Sequence, residues 1–556
     1  MNRLRIALAQ INPTVGDLKG NTEKCVQYIK RAKACKTDII IFPEYTISGY
    51  PPFDLLLNPD FIKDSMASLK RLVPHTKNIM VIVGCIDVKE GGIYNAGAII
   101  VNGKLFHVYH KIHLEKSRIF DETLYFKQGT HRTIYSINGV NLTFTMGNEI
   151  MEPLPSDSQL IVNLHTNPYY IESHTLKEKA IVKKTKDSMA YCAYVNMAGA
   201  QDGIVFHGKS LIINEKGHTV AMGAAFEEDL VVTDIEFNNN KKKSPSTETM
   251  KIPFTVKNKT DTLTPGTPKK TDPLNEIYSA LVTGAKDYAR KNGFQKIVLG
   301  LSGGIDSSLV AAIVRDALGS KNVVGIFMPS QYTSKESRED VYGLAKNLHL
   351  HIIEVPIDNI FHVYMDILKH HFKNKDTGIT WENLQPRIRA NILMAFSNTF
   401  GWLVVTTGNK SEFATGYSTL YGDTAGGFAV LSDVSKSLVY KLASWKNKQA
   451  GFSLIPDRIL TKVPSAELKP HQKDTDTLPP YHILDPILEA YIENNKSMEE
   501  IRTMGFERAV IKKITHMVDS NEYKRRQSPA GIKITKRAFL RDRIFPITNR
   551  FRPNIS

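Results

Sequence analysis

The chain has 556 residues and sets 72 Lys and Arg against 56 Asp and Glu, a formal net charge of +16. Hydrophobic content of 42% and charged content of 23% are those of a globular protein and exclude a disordered or fibrous chain. No apolar stretch reaches the length of a membrane span, and four cysteines without paired spacing exclude a disulfide framework or a zinc ribbon. A chain of this length is expected to divide into two or more domains, each burying its own core. Met1-Asn2-Arg3-Leu4-Arg5 runs directly into strand-like sequence with no apolar leader, so a cytoplasmic location is expected. The positive excess suits polyanionic ligands such as nucleotides. No aromatic residues interleave with the basic runs, so nucleic acid is not expected as a partner.

In chain order, strand character appears at Arg5–Gln10, Asp38–Phe42, Ile79–Gly84, Ala98–Val101, Asn141–Met146, Leu160–Leu164, Ala193–Met197 and Ser210–Asn214. Helical periodicity lies between several of these, as at Thr22–Ala34 and Leu176–Met189. Strands alternating with helices predict a layered α/β unit over residues 1–236. Residues 237–271 are polar and contain Pro together with Lys241, Lys242, Lys243, Lys251, Lys257, Lys259, Lys269 and Lys270, which predicts a basic, flexible linker. A second α/β pattern fills residues 272–556. Its buried-strand candidates, Val323–Met328, Ile352–Val355 and Leu403–Thr406, alternate with helices as a doubly wound parallel sheet requires.

The most specific segment is Gly300-Leu301-Ser302-Gly303-Gly304-Ile305-Asp306-Ser307, set between the apolar run Lys296–Leu299 and a helical run from Leu309. A Ser/Gly-rich turn from strand to helix exposes backbone N–H groups that hold an anion. The lysine of the common ATPase loop is absent. Further on stand Trp381-Glu382-Asn383-Leu384-Gln385-Pro386-Arg387-Ile388-Arg389, Thr406-Thr407-Gly408-Asn409-Lys410-Ser411-Glu412, Gly416-Tyr417-Ser418-Thr419-Leu420-Tyr421-Gly422-Asp423 and Lys462-Val463-Pro464-Ser465-Ala466-Glu467-Leu468.

The loop resembles the pyrophosphate loop of ATP pyrophosphatases, and the whole set in this order resembles the NAD⁺ synthetases. The resemblance implies an adenine nucleotide α-hydrolase type of sheet and an enzyme that amidates deamido-NAD. The nicotinate carboxylate attacks the ATP α-phosphate, and ammonia then displaces AMP. By resemblance, residues 300–307 and Thr407 bind ATP, and Asn383, Glu412 and Lys524 contact deamido-NAD. Asp306 and Glu412 are implied as the Mg²⁺ carboxylates. Arg387, Arg389, Lys410 and Lys436 are candidate phosphate partners or ordinary cations, and Met328–Ser337 suits a loop closing over ATP. Relatives of the long class form homo-oligomers, so one is expected here.

Residues 1–236 resemble the nitrilase-type glutaminase domain of that long class, which implies an α-β-β-α sandwich. The matching segments are Ile6–Pro13, Phe42-Pro43-Glu44-Tyr45, Gly49-Tyr50-Pro51-Pro52 and Phe120-Asp121-Glu122. Such amidases use Glu as general base, Lys to hold the oxyanion and Cys as nucleophile. Glu44 and Lys111 match the first two. The family's Ile-Cys-Glu-Asp-x-Trp segment reads Met146-Gly147-Asn148-Glu149-Ile150-Met151 here, so Gly147 stands where the nucleophile belongs. Ser117, Asn167 and Ser173 also depart from the glutamine-site pattern. The expectation is an NAD⁺ synthetase fed by ammonia, its glutaminase lost. The alternative is a working glutamine-hydrolysing enzyme with a repositioned nucleophile.

Overall fold

The computed structural model describes residues 2–237, 249–256, 259, 261, 263, 272–372, 375 and 377–551. The chain divides into two compact units, Met1–Thr271 and Asp272–Ser556.

The first unit is built on two sheets. One orders the strands Asp229–Phe237, Asn2–Gln10, Ile39–Ile41, Met80–Lys89, Gly92–Val101 and Lys104–His110. The other orders Thr219–Met222, Leu211–Ile213, Tyr191–Val195, Leu160–Leu164, Val140–Met146, Ile134–Ile137 and Thr249–Lys251. Alternate residues of both sheets, among them Leu4, Ile6, Ile82, Phe144, Leu160 and Val162, meet in one buried core. The outer face of the first sheet packs on the helices Leu18–Ala34 and Pro59–Leu72 through Cys25, Ile29, Leu69 and Val81. The outer face of the second packs on Ser173–Ser188 through Ile161, Ile181 and Cys192. Helices outside and sheets inside make the α-β-β-α sandwich.

The segment expected to be a flexible linker is partly structured. Thr249–Lys251 pairs in parallel with Ile134–Ser136, and Ile252, Phe254 and Val256 join the inter-sheet core. Lys259 then pairs with the buried Asp38 at 2.5 Å, and Asp261 meets Arg5. Lysines spaced among the apolar residues lowered the local hydropathy without preventing burial of those apolar side chains, and tertiary pairing decided the outcome. Lys241, Lys242, Lys243, Lys257, Lys269 and Lys270 lie outside the described residues.

The second unit opens with Asp272-Pro273, where the Asp272 carboxylate accepts from Leu274 N at 3.1 Å and Pro273 occupies the first helical position of Pro273–Lys291. Its sheet orders His351–Glu354, Val323–Phe327, Ile297–Leu301, Leu403–Thr406 and Phe428–Ala429, all parallel. Strand order reverses direction between Ile297–Leu301 and Leu403–Thr406. In open α/β sheets, ligands bind beyond the strand C-termini at such a switch point. Val298, Val324, Ile326 and Val404 pack on Phe361 and Ile388 of the helices Asp358–Lys369 and Gly378–Phe400. Leu484, Ile487, Ile511, Ile514 and Val518 form a separate helical cluster toward the C-terminus. No described helix is long and apolar enough to cross a membrane.

Candidate functional sites

At the switch point of the second unit, the strand Ile297–Leu301 gives way to the Ser/Gly turn, and the helix Ile305–Leu318 starts after Gly304. Gly303 has φ +76°, and a Cβ there would lie 2.6 Å from the Ser337 carbonyl oxygen, so the turn needs glycine. Ser302 Oγ accepts from Gly304 N at 3.2 Å, and Ser308 Oγ donates to the Gly304 carbonyl at 2.8 Å. The hydroxyls brace the turn from within.

Asp306 sits in the first helical turn. Asn409 Nδ2 donates to its Oδ1 at 2.9 Å, and Lys436 Nζ pairs with its other oxygen. The same ammonium lies 3.6 Å from Glu412 Oε1. Asn409 caps the short helix Lys410–Thr415, and Glu412 returns a bond to the Asn409 backbone at 3.2 Å, which fixes its carboxylate beside Asp306. Burial, with the neighbouring Asp306 charge, pushes the Glu412 carboxyl up to about 8. Lys436 is raised because two carboxylates face it, despite its burial. Thr407 directly follows the strand Leu403–Thr406 at the same edge.

The expected deamido-NAD residues gather around the loop 416–423. Asn383 Oδ1 accepts from Thr419 Oγ1 at 2.8 Å, and Lys524 Nζ donates to the Gly416 and Ser418 carbonyls at 2.7 and 2.8 Å. Asp423 accepts from Thr419 N at 2.7 Å, and burial pushes it to about 6. The loop 328–337 is tied down by Glu467, which accepts from Ser334 and Ser337 at 2.9 and 2.7 Å and pairs with Lys462 at 2.9 Å. Beside these residues opens a cavity of about 560 Å³, lined by Tyr332, Arg458, Lys462 and Glu467 among others. That volume suits a nucleotide-sized ligand.

Of the four candidate phosphate partners, Lys410 turns away. It is buried against Asp433 at 2.8 Å, Glu493 at 2.6 Å and Thr535 Oγ1 at 2.9 Å, and serves the fold. Arg387 donates to the Leu420 carbonyl and Arg389 to that of Met328. Only Lys436 joins the carboxylate pair. Sequence reasoning missed Asn409 as the residue that links the two.

In the first unit, Glu44, Lys111 and Gly147 converge at the C-terminal ends of Ile39–Ile41, Lys104–His110 and Val140–Met146. Lys111 Nζ lies 2.8 Å from Glu44 Oε1, 2.8 Å from Glu122 Oε2 and 3.8 Å from Glu115 Oε1. Asn95 Nδ2 donates to Glu44 and to Glu122, both at 2.7 Å, and Tyr45 OH also donates to Glu122. Burial pushes Glu44 up to about 8, which Lys111 only partly counters. Glu149 is fully buried. It accepts from Met146 N at 2.8 Å, His113 N at 3.0 Å and Tyr109 OH at 3.0 Å, clamping the Lys111 loop to the Gly147 turn.

Gly147 has φ +54°, and the space its Cβ would fill is occupied: Glu115 Oε1 lies 2.4 Å from that point and Lys111 Nζ 2.7 Å. Ser117 closes a local turn with Phe120 at 3.1 Å. Asn167 N donates to Asn196 at 2.8 Å, and Ser173 accepts from Tyr170 N at 3.0 Å. No thiol reaches the site. Cys25 and Cys85 lie in the outer core of the first sheet and Cys192 in that of the second, while Cys35 follows the helix Leu18–Ala34. Burial raises the Cys25, Cys85 and Cys192 thiols, the last to about 12, so none is an activated thiolate. The pairing of Asn95 with both carboxylates, and the intrusion of Glu115, were invisible in the sequence.

Comparison with known proteins agrees with both halves. Residues 277–528 match the NAD synthase family and residues 5–241 the carbon-nitrogen hydrolase family. The glutamine-dependent NAD⁺ synthetase of Thermotoga maritima is 43% identical over 574 residues, covering 99% of this chain and all of that protein. That of Aquifex aeolicus is 43% identical over 570 residues, covering 99% and 100%. The solved glutamine-dependent NAD⁺ synthetase of Acinetobacter baumannii, in complex with ADP, is 34% identical with a TM-score of 0.75 and 99% of each chain covered. The chain belongs to the glutamine-dependent NAD⁺ synthetase family.

Proposed function

We propose that this chain converts deamido-NAD to NAD⁺ with ATP and free ammonia, and that its amidase unit is silent. The observation carrying the second part is Gly147: the position facing Glu44 and Lys111 has no side chain, and Glu115 fills the space above it. Acyl transfer from glutamine needs a nucleophile there, and glycine supplies none.

In the second unit, N–H groups of residues 300–307 hold the leaving pyrophosphate at the helix start. Asp306 and Glu412 would hold Mg²⁺, which supplies charge neutralisation at the phosphates when bound. Among the described residues no cluster of three or more His, Cys, Asp and Glu side chains forms a ready-made metal cage. Two carboxylates sharing one lysine, one of them raised to about 8, nevertheless make a site short of positive charge. That suits an ion bound by one or two carboxylates together with substrate phosphates. Lys436 balances the pair in the free protein and is placed to meet phosphate oxygens once a cation takes its position. Asn383, Lys524 and the loop 416–423 orient deamido-NAD so that its nicotinate carboxylate meets the ATP α-phosphate. Positioning supplies much of the rate in such a bimolecular step. Ammonia then attacks the acyl adenylate and AMP leaves.

The test is NAD⁺ formation with ammonium or glutamine as sole nitrogen donor. Ammonium supports turnover, and glutamine gives no more than its contaminating ammonia. A second reading keeps glutamine hydrolysis through a hydroxyl, because Thr166 Oγ1 donates to Glu44 Oε2, though at a long 3.4 Å. Glutamine-driven turnover that Thr166→Val abolishes would favour it.

A further inference from the structure

We propose that Glu115 is a tethered anion seated in a small-anion subsite of the amidase unit, formed by the Lys111 ammonium and the Asn148 N–H over the open face of Gly147. The inference rests on the reading of a silent amidase and identifies what occupies its centre. Glu115 Oε1 accepts from Asn148 N at 2.9 Å and lies 3.8 Å from Lys111 Nζ. The same oxygen stands 2.4 Å from where a Gly147 Cβ would be. The carboxylate therefore occupies the ground of a nucleophilic side chain and supplies the negative charge that side chain would carry.

The surroundings are built for one anion at this point. Lys111 is 1% exposed, and Lys177 reaches in to donate to Asn148 Oδ1 at 2.6 Å. Burial lowers Lys177 to about 8, while Glu115 and Glu44 act in the opposite sense. Glu44 and Glu122 flank Lys111 on its other sides, each at 2.8 Å, so Glu115 is the carboxylate on the Gly147 side. Truncating Glu115 takes the acceptor from the Asn148 N–H and one of the three carboxylates from around Lys111, and a small free carboxylate can replace it in both roles. The Glu115 side chain is 26% exposed, so truncating it opens a path from solvent to Lys111. The class of ligand is a monoanion of formate size, because the space was shaped around one carboxylate.

Gly147→Cys alone should accordingly restore no glutaminase, because the new side chain would meet Glu115 and Lys111 at a left-handed backbone position.

The experiment uses the full chain and three proteins: wild type, Glu115→Ala and Glu115→Gln. Each is melted with sodium formate, with ionic strength matched by sodium gluconate, whose anion is too large for the space. Glu115→Ala should melt below wild type, and formate about tenfold above its Kd should raise its melting temperature by about 3 °C. Wild type, already occupied, and Glu115→Gln, filled but uncharged, should not move. Equal shifts in all three, or no shift in Glu115→Ala, would overturn the proposal. A second readout is alkylation of residue 147 by iodoacetamide, followed on its own peptide. Gly147→Cys combined with Glu115→Ala should react at least about tenfold faster than Gly147→Cys alone, because the neighbouring carboxylate both blocks the thiol and disfavours its thiolate. Equal rates would contradict the tethered anion. Neither readout contains ATP or glutamine, so each stands whatever nitrogen donor the synthetase uses.

Discussion

In the first unit Lys111 lies between Glu44 and Glu122; in the second, Lys436 lies between Asp306 and Glu412. The side chains of Glu44 and Glu122 are each 3% exposed, whereas Asp306 and Glu412 are 16% and 19% exposed. The first set is closed by Asn95, Tyr45 and Glu115, whose hydrogen bonds and ion pairs hold its carboxylates and lysine to other groups of the same chain. The second lies at the mouth of a Ser/Gly turn, where its carboxylates are partly open to solvent. A lysine between carboxylates is therefore not in itself a catalytic signature. What separates the two sites is whether a reacting atom has somewhere to stand.

The largest effect that sharpens this contrast should come from Asp306→Asn. Losing one carboxylate charge beside the pyrophosphate should slow pyrophosphate release at least about 100-fold while the melting temperature holds. Release at the wild-type rate would remove Asp306 from the open site.

Next comes Lys410→Met. Its carboxylate partners, the buried Asp433 and the half-buried Glu493, would be left without their cation, costing about 3 kcal/mol of stability. Denaturant unfolding measures this. A stable variant that instead loses ATP affinity would make Lys410 a phosphate ligand after all.

A moderate effect is expected from pH. The Glu412 carboxyl, raised from 4.5 to about 8, charges fully only above that value. The apparent KM for Mg²⁺ should therefore fall as pH rises from about 6.5 to about 8.5, and Glu412→Gln should flatten the slope. The same raised carboxyl favours the free fold below its unfolded value, and that contribution is lost as pH rises through about 8. Mg²⁺ dependence unchanged over this range would detach Glu412 from the cation.

The smallest effect belongs to the closed site. Glu44→Gln should leave ammonium-dependent turnover within about twofold of wild type, since nothing in that reaction uses Glu44. A larger loss would show that the amidase unit still acts on the synthetase.

Much of this architecture was legible where burial is two-sided. The strands Leu160–Leu164 and Leu403–Thr406 match their apolar runs residue for residue, because central parallel strands are hydrophobic on both faces. Edge strands were harder. Lys104–His110 is mostly exposed or half-buried, Asp229–Phe237 alternates with acidic residues, and Thr249–Lys251 hides among lysines, so none carried a clear run. The site residues divide in the same way. Asp306, Asn383 and Glu412 stand in sequence motifs, and the structure collects them with Lys524 in one unit. Asn95 meets Glu44 across 51 positions, and Glu115 meets Asn148 across 33. Such pairings are properties of the folded sheets, and no local pattern encodes them.

The account turns on where the amide nitrogen of NAD⁺ originates. The direct measurement supplies ATP, Mg²⁺ and deamido-NAD with equal concentrations of unlabelled ammonium and glutamine carrying ¹⁵N in its side-chain amide, and weighs the product. The closed amidase site predicts NAD⁺ with unlabelled nitrogen and no accumulation of glutamate. Product enriched in ¹⁵N, with glutamate released one for one, would contradict it and require a nucleophile acting beside Glu44 and Lys111.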